Sequence, residues 1–519
     1  MHLRIVAAAL FSAALAHSQS GSVQGTVVDA ANAPIPGASV VLQLAGSNSS
    51  IFSTSTTAEG LFTIPAVRPE TYDLVVEAKG FQKSVTKKLK VDPGRELSVG
   101  SVKLDIATVA ESVEVRESSD VVNLTNAEVA TTITRSQIEN LPSLNRSPLA
   151  FIGTQAGVNT TARGNTAING QRVSFSNVTL DGINIQDNFI RTNALDFLPN
   201  LLLLDQVEEM TLATSNTNPA LGSGSAQLTI VTPSGTNQFH GKGVWTNRNS
   251  FLAANSWFNN RNNVALGRLN QNQISGSIGG PIWKNKLFFY FNFEAFRLHQ
   301  QSTASRTILT ADARQGIFTY TDTAGTLRKV NVLQAAGVSA DAAMAQLLGK
   351  IPGPEKINNF LIGDSRENLL RNTAGYSYLI RNNRIRNNAT TKLDYLLSTR
   401  NSFSTSYIWN SDALDRPDLE NGYALAPRVA NDEAIKLLSL QWRFSPSGYF
   451  TNEARFGFNM APAIFNTTET FPKAIIAGMS YSNPLNVFRL QGRNTDTFNI
   501  GSGTQASFNV EFMNAGCGA

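Results

Sequence analysis

The chain has 519 residues, room for roughly three or four domains, each able to bury its own core. Lysine and arginine number 43 against 38 aspartate and glutamate, a formal +5 spread without a basic block, which excludes the electrostatic footprint of a nucleic-acid binder. A single cysteine, Cys517, rules out a disulfide within the chain, and 38 glycines with 16% charged residues suit β-structure joined by polar loops.

Met1 to Arg4 supplies a positive start, Ile5 to Leu15 an apolar run, and Ala14-Leu15-Ala16 a small-x-small cleavage pattern, with the cut after Ala16 or Ser18. The run falls well short of the roughly 20 apolar residues that span a bilayer, so residues 1–18 read as an export signal. Residues 22–104 follow as a small all-β domain. Val23, Gly25 and Val27 alternate, Pro34 to Gly37 makes a turn, and strands run over Ala38–Leu42, Glu59–Ile64 and Tyr72–Ala78. Short strands punctuated by Gly and Pro indicate a β-sandwich. The strings GTVVDAANAPIPGASVVL and AEGLFTIPAVRPETYDLVVEAKGF resemble the carboxypeptidase regulatory-like domain. That resemblance implies a seven-stranded prealbumin- or Ig-like sandwich, similar also to carbohydrate-binding folds. The residues give no support to an enzyme. A zinc peptidase needs clustered imidazole and carboxylate ligands. Beyond the export signal the histidines are His240 and His299, far apart in sequence, and neither opens an H-x-x-E pattern. No G-x-S-x-G elbow or P-loop is present, so no catalytic residue, metal or cofactor is assigned.

Residues 105–119 form a short, β-prone connector containing Val109, Glu111, Ser112, Val113, Glu114 and Val115. Such a segment can add itself as a strand to the open sheet edge of a partner, and an ordinary linker strand has the same pattern. Residues 120–237 change texture. Ile133 to Pro142 predicts a short helix ended by proline, and short strands follow at Ile168–Arg172, Val178–Ile183 and Val207–Leu212, separated by Asn-Gly and Asp-Gly turns. The pattern is mixed α/β. Gln171, Arg172 and Asp181 sit in those turns, where they either face a ligand or simply shape the backbone.

From residue 238 to 519, eight stretches alternate with a two-residue period: Phe239–Asn247, Gln273–Ile282, Leu287–Arg297, Thr391–Leu397, Ser402–Asn410, Ala434–Phe444, Phe450–Asn459 and Gln505–Phe512. In the third, Leu287, Phe289, Phe291, Phe293 and Ala295 share one face while Lys286, Tyr290, Asn292 and Glu294 share the other with Phe288. Connections alternate too. Stretches 248–272, 298–390, 411–433 and 460–504 are long and polar, whereas Trp283–Lys286, Ser398–Asn401 and Ser445–Gly448 are short. A transmembrane barrel keeps short turns on the periplasmic side and long loops outside, an asymmetry that a soluble sandwich does not need.

LPSLNRSPLAFIGTQAGV, INGQRVSFSNVTLDGIN and VEEMTLATSNTNPALGSGSAQLTIVTPSGTNQFHG resemble the plug domain of TonB-dependent outer-membrane receptors. The join at Ser234 to Gly241, followed by ANSWFNNRNN and SGSIGGPIWKNKLFFYFNFEAFR, is similar to the start of the barrel in Oar-like receptors, where sandwich, plug and barrel occur in this order. The expected fold is therefore mostly β: an N-terminal sandwich, an α/β plug, then a partial antiparallel transmembrane β-barrel. Barrels that enclose a folded plug have roughly 22 strands, so eight make about a third of one. Two unpaired edges in lipid are prohibitive, and the expectation is a truncated, frameshifted or fragmentary barrel.

The resemblance further implies a cell outer membrane location, contact with outer-membrane lipid, and an extracellular ligand of unidentified class, with carbohydrate, peptide and siderophore all open. It implies the TonB–ExbB–ExbD complex as partner, acting on a box at Val109 to Val115, and no cofactor. The rival expectation is an Oar-like surface adhesion scaffold that binds polymer and transports nothing.

Overall fold

The computed structural model describes residues 20–45, 50–107, 114–117, 128–141, 147–160, 166–171, 175–186, 202–216, 226–364, 372–419, 423–447, 450–467, 474–476, 479–481 and 503–518. Residues 1–18, expected as an export signal, lie outside them.

The N-terminal body is built from β1 (Gly21–Asp29), β2 (Ser39–Leu44), β3 (Ser50–Ser55), β4 (Leu61–Val67), β5 (Thr71–Glu77), β6 (Ser84–Lys90), β7 (Glu96–Leu104) and β8 (Glu114–Glu117). One sheet has the order β4-β1-β7 and the other β3-β2-β5-β6-β8. Alternation sends Val40 and Leu42, Phe62 and Ile64, Tyr72 and Leu74 inward, where all six are at most 2% exposed. Each such side chain contributes roughly 1.5–3 kcal/mol by leaving water. Tyr72 keeps its polar end satisfied, donating its hydroxyl to the Arg68 carbonyl at 3.0 Å. Gly60 closes the turn into β4 with φ +73°, and a Cβ there would lie 2.6 Å from the Val27 carbonyl oxygen.

The second body contains β9 (Val129–Thr134), a helix over Arg135–Asn140, β10 (Val158–Thr160), β11 (Thr166–Ile168), β12 (Ser176–Leu180), β13 (Ile183–Asn184), β14 (Glu209–Ser215) and β15 (Ala226–Val231). Its main sheet runs β13-β12-β15-β14-β9, with β15 central and buried along its whole length. The helix expected from Ile133 begins two residues later, because Thr131 to Thr134 stay extended against β14, with Ile133 opposite Met210. Pairing of a β-branched run outweighs its local helical pattern.

The wall comprises β16 (His240–Asn249), β17 (Leu269–Trp283), β18 (Leu287–Leu309), β21 (Thr373–Arg381), β22 (Arg384–Ser398), β23 (Asn401–Asp415), β24 (Val429–Ser447), β25 (Phe450–Thr467) and β28 (Gly503–Gly518). A hairpin of β19 (Ile317–Thr321) and β20 (Leu327–Asn331) lies between β18 and β21, and one of β26 (Ala474–Ile476) and β27 (Met479–Tyr481) lies between β25 and β28. The nine wall strands form one antiparallel sheet, β16-β17-β18-β22-β23-β24-β25-β28, with β21 on the outer part of β18. All eight expected strands are present in that order. With β16 and β28 at its ends, the sheet is open.

Register turns the alternation into two surfaces. One row across the sheet is Ser277, Asn292, Thr390, Ile408, Leu437 and Asn459; the next is Ile278, Phe291, Thr391, Tyr407, Leu438 and Phe458. The first row faces inward, with Asn292, Thr390 and Asn459 fully buried, while Phe291 and Tyr407 in the second are about 40% exposed. The outer face also shows Ile274, Ile282, Leu393, Phe403, Leu440 and Trp442. Polar groups inside and apolar groups outside invert a soluble fold and match a lipid-facing barrel wall. Aromatic rings gather near the short turns, with Trp442 stacked between Phe403 and Phe444 and Lys286 over the Trp283 ring.

The stretch 298–390, expected as one polar loop, contains strands and helices among its described residues. β18 continues to Leu309 and pairs with β21, and a folded insert between them is tied down by Arg314, which donates to the carbonyls of Leu348, Ile351 and Pro352. Its strands hid from the alternation because β21 is buried on both faces along most of its length, so no period of two is visible.

Leu440→Arg, on the lipid face, is expected to destabilise the wall by about 2–4 kcal/mol. Ser406→Ala, on the inward face, removes a hydroxyl that makes no hydrogen bond among the described residues and should be nearly neutral. Urea unfolding from phospholipid vesicles measures both; equal losses would mean that the faces are misassigned.

Candidate functional site

The chemistry concentrates where the second body meets the inward face of the wall and where the N-terminal sandwich meets both. The turn between β12 and β13 is Asp181-Gly182, with φ +46° and +81°. The Asp181 carboxylate accepts from the Thr232 amide at 3.1 Å and the Thr232 hydroxyl at 2.6 Å. Its carbonyl accepts from the Ser439 hydroxyl of the wall at 2.8 Å. Lys392, also of the wall, donates to the Thr232 carbonyl at 2.8 Å and stands 3.9 Å from the Asp181 carboxylate. Gly182 is required twice over: its φ disfavours a side chain, and an added Cβ would fall 1.6 Å from Arg455 Nη1.

A second contact is the turn Leu204–Gln206. The Asp205 carboxylate meets Lys242 Nζ at 2.5 Å and the Ser275 hydroxyl at 2.5 Å, while its carbonyl accepts from the Tyr290 hydroxyl at 2.8 Å. Gln206 Nε2 donates to Asn388 Oδ1 at 2.9 Å and Thr390 Oγ1 at 2.8 Å. Lys242 also reaches Glu139 at 2.7 Å, which ties the helix to the first wall strand. Apolar contact is sparse by comparison. Ile408 and Leu437 are the wall residues that join the hydrophobic core of the second body. The side-chain amides of Asn410 and Asn459 find no partner among the described residues, although both residues are fully buried. Burying such groups dry costs about 1–3 kcal/mol each, so the seam is one that water can enter.

The sandwich approaches at the end marked by the short turns. Arg68, between β4 and β5, pairs with Asp394 at 2.7 Å, with the two side chains 12% and 1% exposed. Arg443 donates to the Pro65 carbonyl at 3.1 Å and lies 4.4 Å over the Phe52 ring. Lys90 reaches Glu209 of β14 at 2.6 Å. Phe288 and Leu396, beside the short turns of the wall, complete the sandwich's own core. Burial pushes the Glu70 carboxyl up to about 7 against the pull of Arg68. Burial likewise pushes Glu209 up to about 7 against Lys90.

Of the residues singled out from sequence, Asp181 faces the wall and Gln171 lies exposed in a separate turn, donating its amide to the Ile168 carbonyl at 2.9 Å. Glu114 and Val115 open β8. Val109, Glu111, Ser112, Val113 and Arg172 lie outside the described residues. Asp205, Gln206, Lys242 and Lys392 escaped the sequence reading. One signal was available for the first two: an acid and an amide directly after four leucines, 201–204, where an apolar run stops at a polar surface.

Comparison with known proteins places these parts. The family described as "Outer membrane beta barrel domain" matches residues 231–515, and "Carboxypeptidase regulatory-like domain" matches residues 22–105. The TonB-dependent transporter Oar of Myxococcus xanthus is 25% identical over 362 residues, covering 67% of this chain and 33% of that protein. The chain thus spans about a third of the length of the curated relative it matches. Among solved structures, the outer membrane transporter YddB from Escherichia coli overlaps with TM-score 0.42 at 11% identity, covering 66% of this chain and 40% of that one. The siderophore receptor PirA from Acinetobacter baumannii overlaps with TM-score 0.40 at 12% identity, covering 74% and 44%.

Gln206→Leu strands the Asn388 and Thr390 side chains and should loosen the seam by about 1–3 kcal/mol, read as faster hydrogen exchange in β14 and β15. Unchanged exchange would show that the seam does not hold that sheet. Carboxyls raised above their unfolded values stabilise the fold fully below the unfolded pKa, and that contribution is lost as pH rises through about 7. The urea midpoint should therefore fall between about pH 5 and about pH 8. Glu70→Gln should remove part of that slope, and an unaltered slope would show that Glu70 does not carry it.

Proposed function

We propose that this chain, which belongs to the outer membrane beta barrel domain family, acts in the outer membrane as a plugged receptor whose plug is moved by a periplasmic energy-coupling partner to admit an extracellular ligand. The observation that carries this reading is the polar seam. Asp181, Asp205 and Gln206 hold the second body to the wall through hydrogen bonds and ion contacts, with few apolar residues between them. Each neutral bond can be exchanged for water at a net cost of about 0.5–1.5 kcal/mol, and each bond to a charged group such as Asp205 at about 1.5–3 kcal/mol. A greasy interface of the same area would resist opening far more. The seam is thus tight in number and cheap to release one bond at a time, as a movable plug requires.

The partner we assign is TonB with ExbB and ExbD, engaging Val109 to Val115 by strand addition, and the relative Oar, named as a TonB-dependent transporter, supports this. The packing of Asp181 against Thr232 and Ser439 supports a holding role for that residue, while the exposed Gln171 turn and the outer loops are left for ligand. The candidate ligand classes are carbohydrate, peptide and siderophore.

Val113→Pro removes a backbone donor from the candidate box. Cells carrying the chain in the outer membrane should deplete a compound from rich medium when energised, and both Val113→Pro and an uncoupler should abolish that depletion. Depletion indifferent to both, or surface binding with no depletion, would overturn transport and leave an adhesive scaffold.

A further inference from the structure

The inward face of the wall is divided in layers between the two bodies it holds. Counted from the short turns upward, register gives a first inward row through Leu396, Ser402 and Arg443 and a second through Phe288, Asp394, Ser404 and Gln441. A third row runs through Tyr290, Lys392 and Ser439, and a fourth through Thr390, Ile408 and Leu437. The first two rows hold the sandwich. Leu396 and Phe288 enter its core, and Arg443 meets Pro65 and Phe52. Asp394 pairs with Arg68, and Gln441 donates to the Ser20 hydroxyl at 3.0 Å. The third and fourth rows hold the second body. Tyr290 donates to the Asp205 carbonyl, Lys392 to the Thr232 carbonyl and Ser439 to the Asp181 carbonyl. Thr390 meets Gln206, and Ile408 and Leu437 join the core of that body. Arg455, which continues the second row, lies against Gly182 and marks the boundary. Short turns face the periplasm, so the sandwich stands on the same inward surface between the second body and the periplasm. The two bodies also touch directly: Lys90 reaches Glu209 at 2.6 Å, and Thr132 donates its hydroxyl to Asp92 at 3.0 Å.

We infer that the sandwich is a second closure, a bolt beneath the second body, which cannot leave toward the periplasm until the sandwich has left the first two rows. This rests on the plug movement proposed above and adds its order. The two grips differ in kind. The second body is held largely by hydrogen bonds that water can replace one at a time. Lifting the sandwich away returns Phe288 and Leu396 to water and separates Asp394, 1% exposed, from Arg68. The lower closure therefore governs the upper one, and loosening the sandwich from the wall loosens the second body as well.

The test is a cleavable bridge between sandwich and wall. Pro65→Cys with Arg443→Cys, in a Cys517→Ser background that also carries Arg68→Ala, leaves two thiols at a sandwich–wall contact, to be joined by a bis-maleimide with a reducible arm. The full-length chain in phospholipid vesicles is followed by hydrogen exchange, first bridged and then reduced. A bolt predicts parent-like exchange in β12, β14 and β15 while the bridge is intact and about tenfold faster exchange once it is cleaved, with β2 and β5 of the sandwich slow throughout. Arg68→Ala alone, with no cysteine introduced, should move β12, β14 and β15 the same way by about threefold. Equal rates before and after cleavage, or an Arg68→Ala effect confined to the sandwich, would overturn the inference. In energised cells the bridged chain should deplete nothing from rich medium until reductant is added, and depletion by the bridged chain would also overturn it. A parent chain that depletes nothing would sink the uptake function alone, since the exchange rates still decide whether the sandwich bolts the second body in place.

Discussion

Hydrocarbon offers no hydrogen bonds, and the wall depends on that constraint. Every backbone amide and carbonyl of the spanning strands must pair with a neighbouring strand, which leaves side chains alone to meet lipid on one face and the interior on the other. The rows that run Ser277, Asn292, Thr390, Ile408, Leu437, Asn459 and Ile278, Phe291, Thr391, Tyr407, Leu438, Phe458 are this constraint written in register. A slip of one residue would exchange them and put buried amides into lipid.

A polar inward face creates the next requirement, because its groups must find partners. The turns at Asp181 and Asp205 supply many of them, and the remainder, such as the amides of Asn410 and Asn459, mark a seam that is polar rather than sealed. Close approach is limited to points where bulk is removed. Gly182 lies under Arg455, and at Gly457 an added Cβ would come within 2.3 Å of Ile183 Cδ1. The second body is therefore held mainly by hydrogen bonds at defined positions, with Ile408 and Leu437 as the wall's apolar contribution to its core.

The sandwich follows different physics. Its own core is apolar and self-sufficient, yet Phe288 and Leu396 from the wall complete it, and Arg68 pairs with Asp394 out of solvent. Breaking one partner from a buried pair is costly, so the sandwich is coupled to the wall more firmly than a tethered accessory would be. Through Lys90 and Glu209 it also touches the second body. The sandwich is thus in contact with both of the other bodies.

Much of this was legible in one dimension. Alternation at Leu287 to Ala295 separates an apolar from a mixed face without a structure, since period-two patterning is a direct image of the pleat, and the same holds for Phe403, Tyr407, Leu440 and Trp442; a soluble sandwich alternates in the same way, so the pattern alone does not say which face meets lipid. β21 was invisible because both its faces are buried, and the helix start moved from Ile133 to Arg135 because β14 claimed the intervening residues. Readable along the chain alone were the order of bodies and the alternation of the eight expected wall strands, because both depend on near neighbours. The tertiary structure decided which polar residues form the seam, that Asp181 faces Thr232 and Ser439, and that Glu114 to Glu117 lie on β6. Those contacts join residues far apart in sequence, and partner identity there is set by register and packing, which no local pattern encodes.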